Sequence, residues 1–412
     1  MLNQINQIEE TDIHCEINAL EVPLAHLPSG DTCVLYVGDN LHLMKKIADE
    51  FVGKVDLCYI DPPYNTGSKF IYEDQRVSQK DNIWGTHLGW MEFMRPRLET
   101  VNSLLAETGI IAISIDDYEQ PYLRVLMDQI FGQENFISCI ATCRSNNGKS
   151  ARGNVATNHE YIVVYGKSKK SKIRGFLEND DASYDKTDTH GKYRIDGLFR
   201  KKGDASLRTD RPNMYFPLYF DRNGNVFTER LSDDLKEVFP VDSKGVERRW
   251  LWGKDKAREE SWKLYASAKG VVYVKNYFDM SKRVKPKSLW IDNRYLTERA
   301  TNEIKEIYGD KIFETPKPIS LIEDLIESHT HEQALILDFF AGTGTTAHAA
   351  HNLNKRDKGK RKVILMEQDQ TIKTDHLAFK HGFRKISDIT KARLEWIANR
   401  ESGFTFQVKN IQ

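Results

Sequence analysis

The sequence predicts an α/β fold, a mostly parallel sheet whose strand order is permuted along the chain and which is interrupted by a basic insertion. Two observations predict it. Apolar runs of strand length alternate with helix-period segments toward both ends of the 412 residues. A glycine turn of the strand-to-helix kind, "LILDFFAGTGTTAHAA", comes so late that the N-terminal half must supply the remaining strands of its sheet.

The elements follow in order. Residues 1–30 have no clear period and are expected to form an N-terminal arm. Then "TCVLYVGD" reads as a strand, "NLHLMKKIADEF" as a helix and "VDLCYI" as a buried strand. A second set repeats the alternation: the helix "WMEFMRPRLETVNSLLAE", the strand "GIIAISID", and the helix "PYLRVLMDQIFG", which begins at Pro121, a favoured first-turn residue. "EYIVVYGK" supplies one more strand. The next segment carries turn signals such as "DRNGN" and "DSKG" without a helical period. The α/β pattern then resumes with the helices "ERATNEIKEIYG" and "PISLIEDLIESHT", the strand "ALILDFF", the helix "TTAHAAHNLN" and the strand "KVILME". The domain reading is 1–30 arm, 31–169 first half of the α/β domain, 170–290 insertion and 291–412 second half.

Composition narrows the class. No run of about 18 apolar residues occurs and "MLNQINQIEE" is too polar for a signal peptide, so a cytoplasmic protein is expected. The five cysteines form no CxxC pair, which fits reduced thiols better than a disulfide framework or a zinc site, and no metal is expected. Charge balances over the whole chain but not locally. Residues 141–290 hold 32 Lys and Arg against 20 Asp and Glu, a surplus that the remainder offsets. Aromatics interleave with that charge in "KYRIDGLFRKKGD", "RRWLWGK" and "VVYVKNYF", a pattern suited to phosphate contacts and base stacking.

The glycine turn reads G-x-G-x-x-A, with Gly342, Gly344 and Ala347 between a strand and a helix. Glycines let the backbone approach a ligand, and the helix start offers unpaired N–H groups. Glu367 closes the next strand, where a carboxylate can grip two ribose hydroxyls. An adenosine-type cofactor follows, either a dinucleotide or S-adenosylmethionine.

"VDLCYIDPPYNTG" places Asp61 at a strand tip, then Pro62-Pro63 and Tyr64. Proline has no N–H, so such a turn presents carbonyl oxygens without a competing donor. The exocyclic amine of a nucleobase is a poor nucleophile because its lone pair is delocalised. If Asp61 and a turn carbonyl accept its two hydrogens, the nitrogen is drawn toward a tetrahedral form with its lone pair aimed at a sulfonium methyl. Tyr64 would stack on the base, swung out of its duplex.

"DPPY" followed much later by "DFFAGTGTT" resembles the amino-group DNA methyltransferases in the permuted order of the β class. "DPPYNTGSKFIYEDQ", "TNHEYIVVYGKS", "RPNMYFPLYF" and "FETPKPISLIEDLI" are similar, in that order, to the modification (Mod) subunits of Type III restriction-modification systems. The resemblance implies a Rossmann-like S-adenosylmethionine-dependent methyltransferase domain with permuted motif order and an inserted basic target-recognition domain at 170–290. It makes 31–169 the catalytic half and 291–412 the cofactor-binding half. Asp61, Pro62, Pro63 and Tyr64 match the catalytic motif. Asp39, Lys317, Phe339, Gly342, Gly344 and Glu367 match cofactor-binding positions, Lys317 toward the methionine end and Asp39 toward the adenine. The reaction implied is methyl transfer to the N6 amine of adenine in double-stranded DNA, with a homodimer and a restriction subunit as expected partners. Two departures stand out: such subunits are commonly longer, and GTGTT stands where GSGTT is usual, which keeps a hydroxyl in the turn.

Arg144, Lys149, Arg152, Lys201, Lys202, Arg208, Arg211, Arg248 and Arg249 are the candidate DNA contacts. Each also fits a solvated surface. Trp250 and Trp252 fit base stacking but, at this spacing, better fit one face of a core strand. His159 fits a base pocket less well than a hydrogen-bonded loop. The competing functional readings are a cytosine-N4 methyltransferase, a NAD-dependent oxidoreductase and a DNA-binding specificity subunit without catalysis.

Overall fold

The computed structural model describes residues 32–65, 85–147, 155–177, 183–279 and 281–411. The expected N-terminal arm lies outside them. Contacts divide the chain into two compact units, Phe176–Val284 and the remainder.

The larger unit is built on a nine-stranded sheet. Its strands are β1 (Cys33–Val37), β2 (Val55–Ile60), β3 (Leu105–Ile115), β4 (Phe136–Cys143), β5 (His159–Gly166), β6 (Leu289–Trp290), β7 (Leu335–Asp338), β8 (Lys362–Glu367) and β9 (Phe406–Asn410). They lie in the order β6-β4-β5-β3-β2-β7-β8-β1-β9. All neighbours pair in parallel except at β5, which is antiparallel to both β3 and β4. The late strands β7 and β8 therefore slot between the early strands β2 and β1, the permuted order that the position of the glycine turn predicts.

The apolar runs explain the sheet's interior. Every residue of β1 is buried, and β2 is buried except at Asp56, as expected for strands covered on both faces. Asp56 faces the β7 side, where its carboxylate accepts the Leu335 N–H at 2.8 Å. Helix α1 (Asn40–Phe51) turns Leu43, Met44, Ile47 and Phe51 inward, the spacing of a single helical face. It joins one core with α2 (Gly85–Leu104) and α3 (Gln120–Phe131), against Cys58, Ile60, Ile111, Ile113 and Val163 of the sheet. Toward the C-terminus come α4 (Thr297–Tyr308), α5 (Ile319–His329), α6 (Thr345–Asp357) and α7 (Ile386–Arg400).

Some elements differ from expectation. The segment Leu105–Glu107, read as the end of a helix, is already strand β3, because β2 pairs with it from Val55 onward and sheet pairing overrides helix propensity. Strand β4 was not anticipated: its half-exposed residues give a weak apolar signal. Leu289 and Trp290, placed in the insertion, instead pair with Ala141 and Thr142 at the sheet's edge.

The smaller unit has a four-stranded antiparallel sheet of Leu264–Ala266, Val272–Tyr277, Gly191–Leu198 and Lys186–Asp188. A three-stranded sheet of Val226–Phe227, Leu218–Phe220 and Lys236–Val238 accompanies it. Its core gathers Phe199, Phe216, Phe220, Leu264 and Val272 around Trp250. The turn signals act as predicted: Asp221 accepts the N–H groups of Asn223 and Asn225, and Asp242 those of Lys244 and Val246.

Candidate active site

Strands β2 and β7 are parallel neighbours, Leu57 opposite Ile336 and Cys58 opposite Leu337. Parallel pairing sends both chains out at one edge, so the DPPY turn and the glycine turn emerge side by side. A cavity of about 370 Å³ lies between them. Asp61, Lys317, Phe339, Gly342 and Glu367 are among its lining residues.

The glycine turn is fixed from several sides. Gly342 and Gly344 have φ of +52° and +78°, which side-chain-bearing residues rarely adopt. Gly342 donates its N–H to Glu367 Oε2 at 2.6 Å, and Gln368 donates to Oε1 at 2.9 Å. Burial nonetheless pushes the Glu367 carboxyl up to about 8. Asp338, also raised by burial, to about 7, accepts from the Thr346 hydroxyl and the Phe340 N–H. The last helix, to which the sequence reading assigned nothing, completes the support: Thr390 donates to the Gly342 carbonyl at 2.5 Å, and Arg393 to the hydroxyls of Thr343 and Thr345.

Asp39, expected toward the adenine end, is not among the cavity's lining residues. It caps α1 by accepting the His42 N–H at 2.9 Å and pairs with Arg97 at 3.2 Å. Its neighbour Asn40 lines the cavity instead. Asn40 donates to the Phe339 carbonyl and accepts from Arg97 Nε, both at 2.7 Å.

At the DPPY turn four side chains meet. Tyr64 donates its hydroxyl to Asp61 Oδ1 at 2.6 Å. Lys317 Nζ lies 2.7 Å from the Tyr64 oxygen, 3.1 Å from Asp61 Oδ1 and 3.1 Å from Glu160 Oε2. Burial raises the Asp61 carboxyl above its ordinary value; Lys317 opposes this and Glu160 adds to it. The Pro63 carbonyl accepts the Trp90 indole N–H at 2.7 Å, which pins the turn to α2. Sequence reasoning missed Glu160, although it stands beside His159 in "TNHEY". His159 bonds Tyr161 at 3.0 Å and approaches Asp117, whereas Glu160 reaches Lys317.

The candidate DNA contacts separate into groups. Lys149 and Arg152 lie outside the described residues. Arg144 is half-buried in the larger unit. In the smaller unit Lys202 and Arg211 are exposed and Lys201 is half-buried. Arg208 pairs with Glu247 at 3.0 Å and covers the Tyr215 ring, while Arg248 is held by Asp242 and Ser206. Arg249 is corrected to an interior residue: 8% exposed, it donates to the carbonyls of Ala205 and Trp250 and organises the surrounding loops. Trp250 is core, its indole bonded to the Phe216 carbonyl and its ring stacked on Phe199.

An acid and a proline turn placed beside a cavity with a glycine turn and a second buried acid suit methylation of an amine by a nucleoside sulfonium. The chain belongs to the DNA methylase family (N6_N4_Mtase), which it matches over residues 55–379, and is a DNA methyltransferase that uses S-adenosylmethionine. It is 54% identical to the Type II methyltransferase M.KpnI of Klebsiella pneumoniae, over 90% of this chain and 89% of that protein. It is 34% identical to the Type III EcoPI Mod subunit of Escherichia phage P1, over 90% of this chain and 62% of that subunit. The StyLTI Mod subunit of Salmonella typhimurium is 30% identical, with 88% of this chain and 56% of that subunit covered. The chain thus spans most of the length of M.KpnI and less than two thirds of these Mod subunits. Among the described residues no helix is long and apolar enough to cross a membrane.

Proposed function

We propose that this protein methylates the N6 amine of an adenine, flipped out of duplex DNA, within a restriction-modification system. The observation that carries the reading is the meeting of Asp61 and Glu367 on one cavity, the acid of the DPPY turn and the acid of the glycine turn.

The cavity suits the cofactor. Glu367 presents a buried carboxyl group for ribose hydroxyls, Gly342 keeps the wall free of a side chain, and Phe313, Phe339 and Ile386 offer apolar surface for a purine. When bound, S-adenosylmethionine supplies a methyl group made electrophilic by its sulfonium. Asp61 accepts one hydrogen of the target amine. Because the Pro63 carbonyl is taken by Trp90, the Pro62 carbonyl is the better second acceptor. Holding both hydrogens localises the nitrogen lone pair and positions it for attack. The methylated amine is cationic and must lose a proton; Asp61, its proton affinity raised by burial, is placed to take it. The Tyr64 ring remains the proposed stacking surface for the base, with its hydroxyl tied to Asp61.

A carboxylate at the first position of the motif favours adenine over cytosine in this reading. Phe176–Val284 serves as the target-recognition unit, with Lys201, Lys202 and Arg211 on phosphates. The likeness to Type III Mod subunits extends the proposal to a homodimer and a restriction partner, and the DNA substrate to a cytoplasmic location.

The test is to incubate the protein with unmethylated duplex DNA and S-adenosylmethionine, digest to nucleosides and identify the product by mass and chromatography. N6-methyl-2′-deoxyadenosine is expected. N4-methyl-2′-deoxycytidine would transfer the reading to cytosine, and absence of any methylated nucleoside on DNA of diverse sequence would overturn it.

A further inference from the structure

The proposed chemistry uses Asp61 and leaves unexplained why a second carboxylate is buried against it. Glu160 has 9% of its side chain exposed and Lys317 10%. An ammonium has three donors, and Lys317 spends them on Asp61, Tyr64 and Glu160. Counted as two carboxylates and one ammonium, the cluster carries one net negative charge, with Asp61 and Lys317 lining the cavity and Glu160 paired to the lysine.

We infer that Glu160 is a positioning residue whose charge occupies Lys317, so that Asp61 keeps an oxygen open to the target amine and the cluster stays net negative toward a cationic ligand. Without Glu160 the lysine would have Asp61 as its sole carboxylate. It would then cancel the Asp61 charge and compete for the oxygen that must accept the amine hydrogen. With Glu160 present the lysine bridges two acids that would otherwise repel, and half of its charge is answered from behind the turn. In a site shielded from water such charges act strongly on one another. The inference rests on the methyltransferase reading and adds a discrimination to it. S-adenosylmethionine and its product S-adenosylhomocysteine differ by one methyl group and one positive charge, so a net negative wall favours the donor over the spent product.

Calorimetric titration of both ligands tests this without turnover. Glu160→Gln keeps the shape and a hydrogen-bond acceptor while removing the charge. It is expected to weaken S-adenosylmethionine roughly tenfold while leaving S-adenosylhomocysteine nearly unchanged. Adding Lys317→Met to Glu160→Gln returns the net charge to −1 and should restore the ratio of the two affinities. Glu160→Ala, which also removes the charge, carries the test if Glu160→Gln does not fold. Equal weakening of both ligands would mean that Glu160 only supports packing, and an unchanged ratio would remove its electrostatic role; either overturns the inference while leaving the methyltransferase reading intact. Wild-type protein that binds neither ligand would overturn both.

Discussion

Arg393 donates from one nitrogen, Nη1, to the hydroxyls of Thr343 and Thr345, each at 2.9 Å, so that the last helix grips the glycine turn from behind. The guanidinium is fully buried, and hydrogen bonds from a buried charge are among the stronger ones. Arg393→Met should lower S-adenosylhomocysteine affinity roughly tenfold and destabilise the fold by about 2–3 kcal/mol. Calorimetry and thermal melts measure the two effects. Unchanged affinity would show that the turn holds its shape without this support.

In the proposed reaction Asp61 bears the acceptor role. Asp61→Asn preserves size but presents a weaker acceptor and no base, so turnover should fall by about 10²–10³. DNA binding and S-adenosylhomocysteine binding should persist, since Glu367 and the basic unit are untouched. Rapid-quench methyl transfer with gel-shift binding separates these; full turnover in Asp61→Asn would exclude the carboxylate from the reaction.

Glu367 makes stability depend on pH in the ligand-free protein. Its folded-state value is about 8, above its ordinary 4.5, and Asp338 is raised to about 7 from 3.8. Across that window the unfolded chain has released protons that the folded chain retains, so stability falls as pH rises from about 5 through 8. Melting temperature should decline over this range, and Glu367→Gln should flatten the decline. An identical slope in the variant would mean that Glu367 is already ionised in the folded protein.

The arginines of the smaller unit should divide by burial. Arg249→Met leaves the Ala205 and Trp250 carbonyls without their donor, and should destabilise by about 2–3 kcal/mol. Lys202→Ala and Arg211→Ala, at exposed positions, should instead leave melting unchanged, weaken DNA binding and each reduce the salt dependence by about one counterion. Fluorescence anisotropy at several salt concentrations distinguishes the two classes.

The sequence alone determined what neighbouring residues can encode. Strand periods, the Asp61–Tyr64 turn and the Gly342–Gly344 turn are local, because proline fixes φ and glycine alone readily admits the positive φ that a tight turn needs. The late position of the glycine turn also made the permuted sheet legible, since a sheet must be completed from somewhere. Only the tertiary structure decided which distant side chains serve those turns. Whether His159 or Glu160 faces Lys317 depends on the register of β5, in which Ile113 pairs with Val163 and Ile115 with Tyr161. A shift of one residue would exchange the two faces. Arg393 reaches the glycine turn from 50 residues away, and Arg249 lies inside while Arg211 lies outside. No spacing in the chain distinguishes a buried arginine from an exposed one, because burial is set by packing between segments remote in sequence.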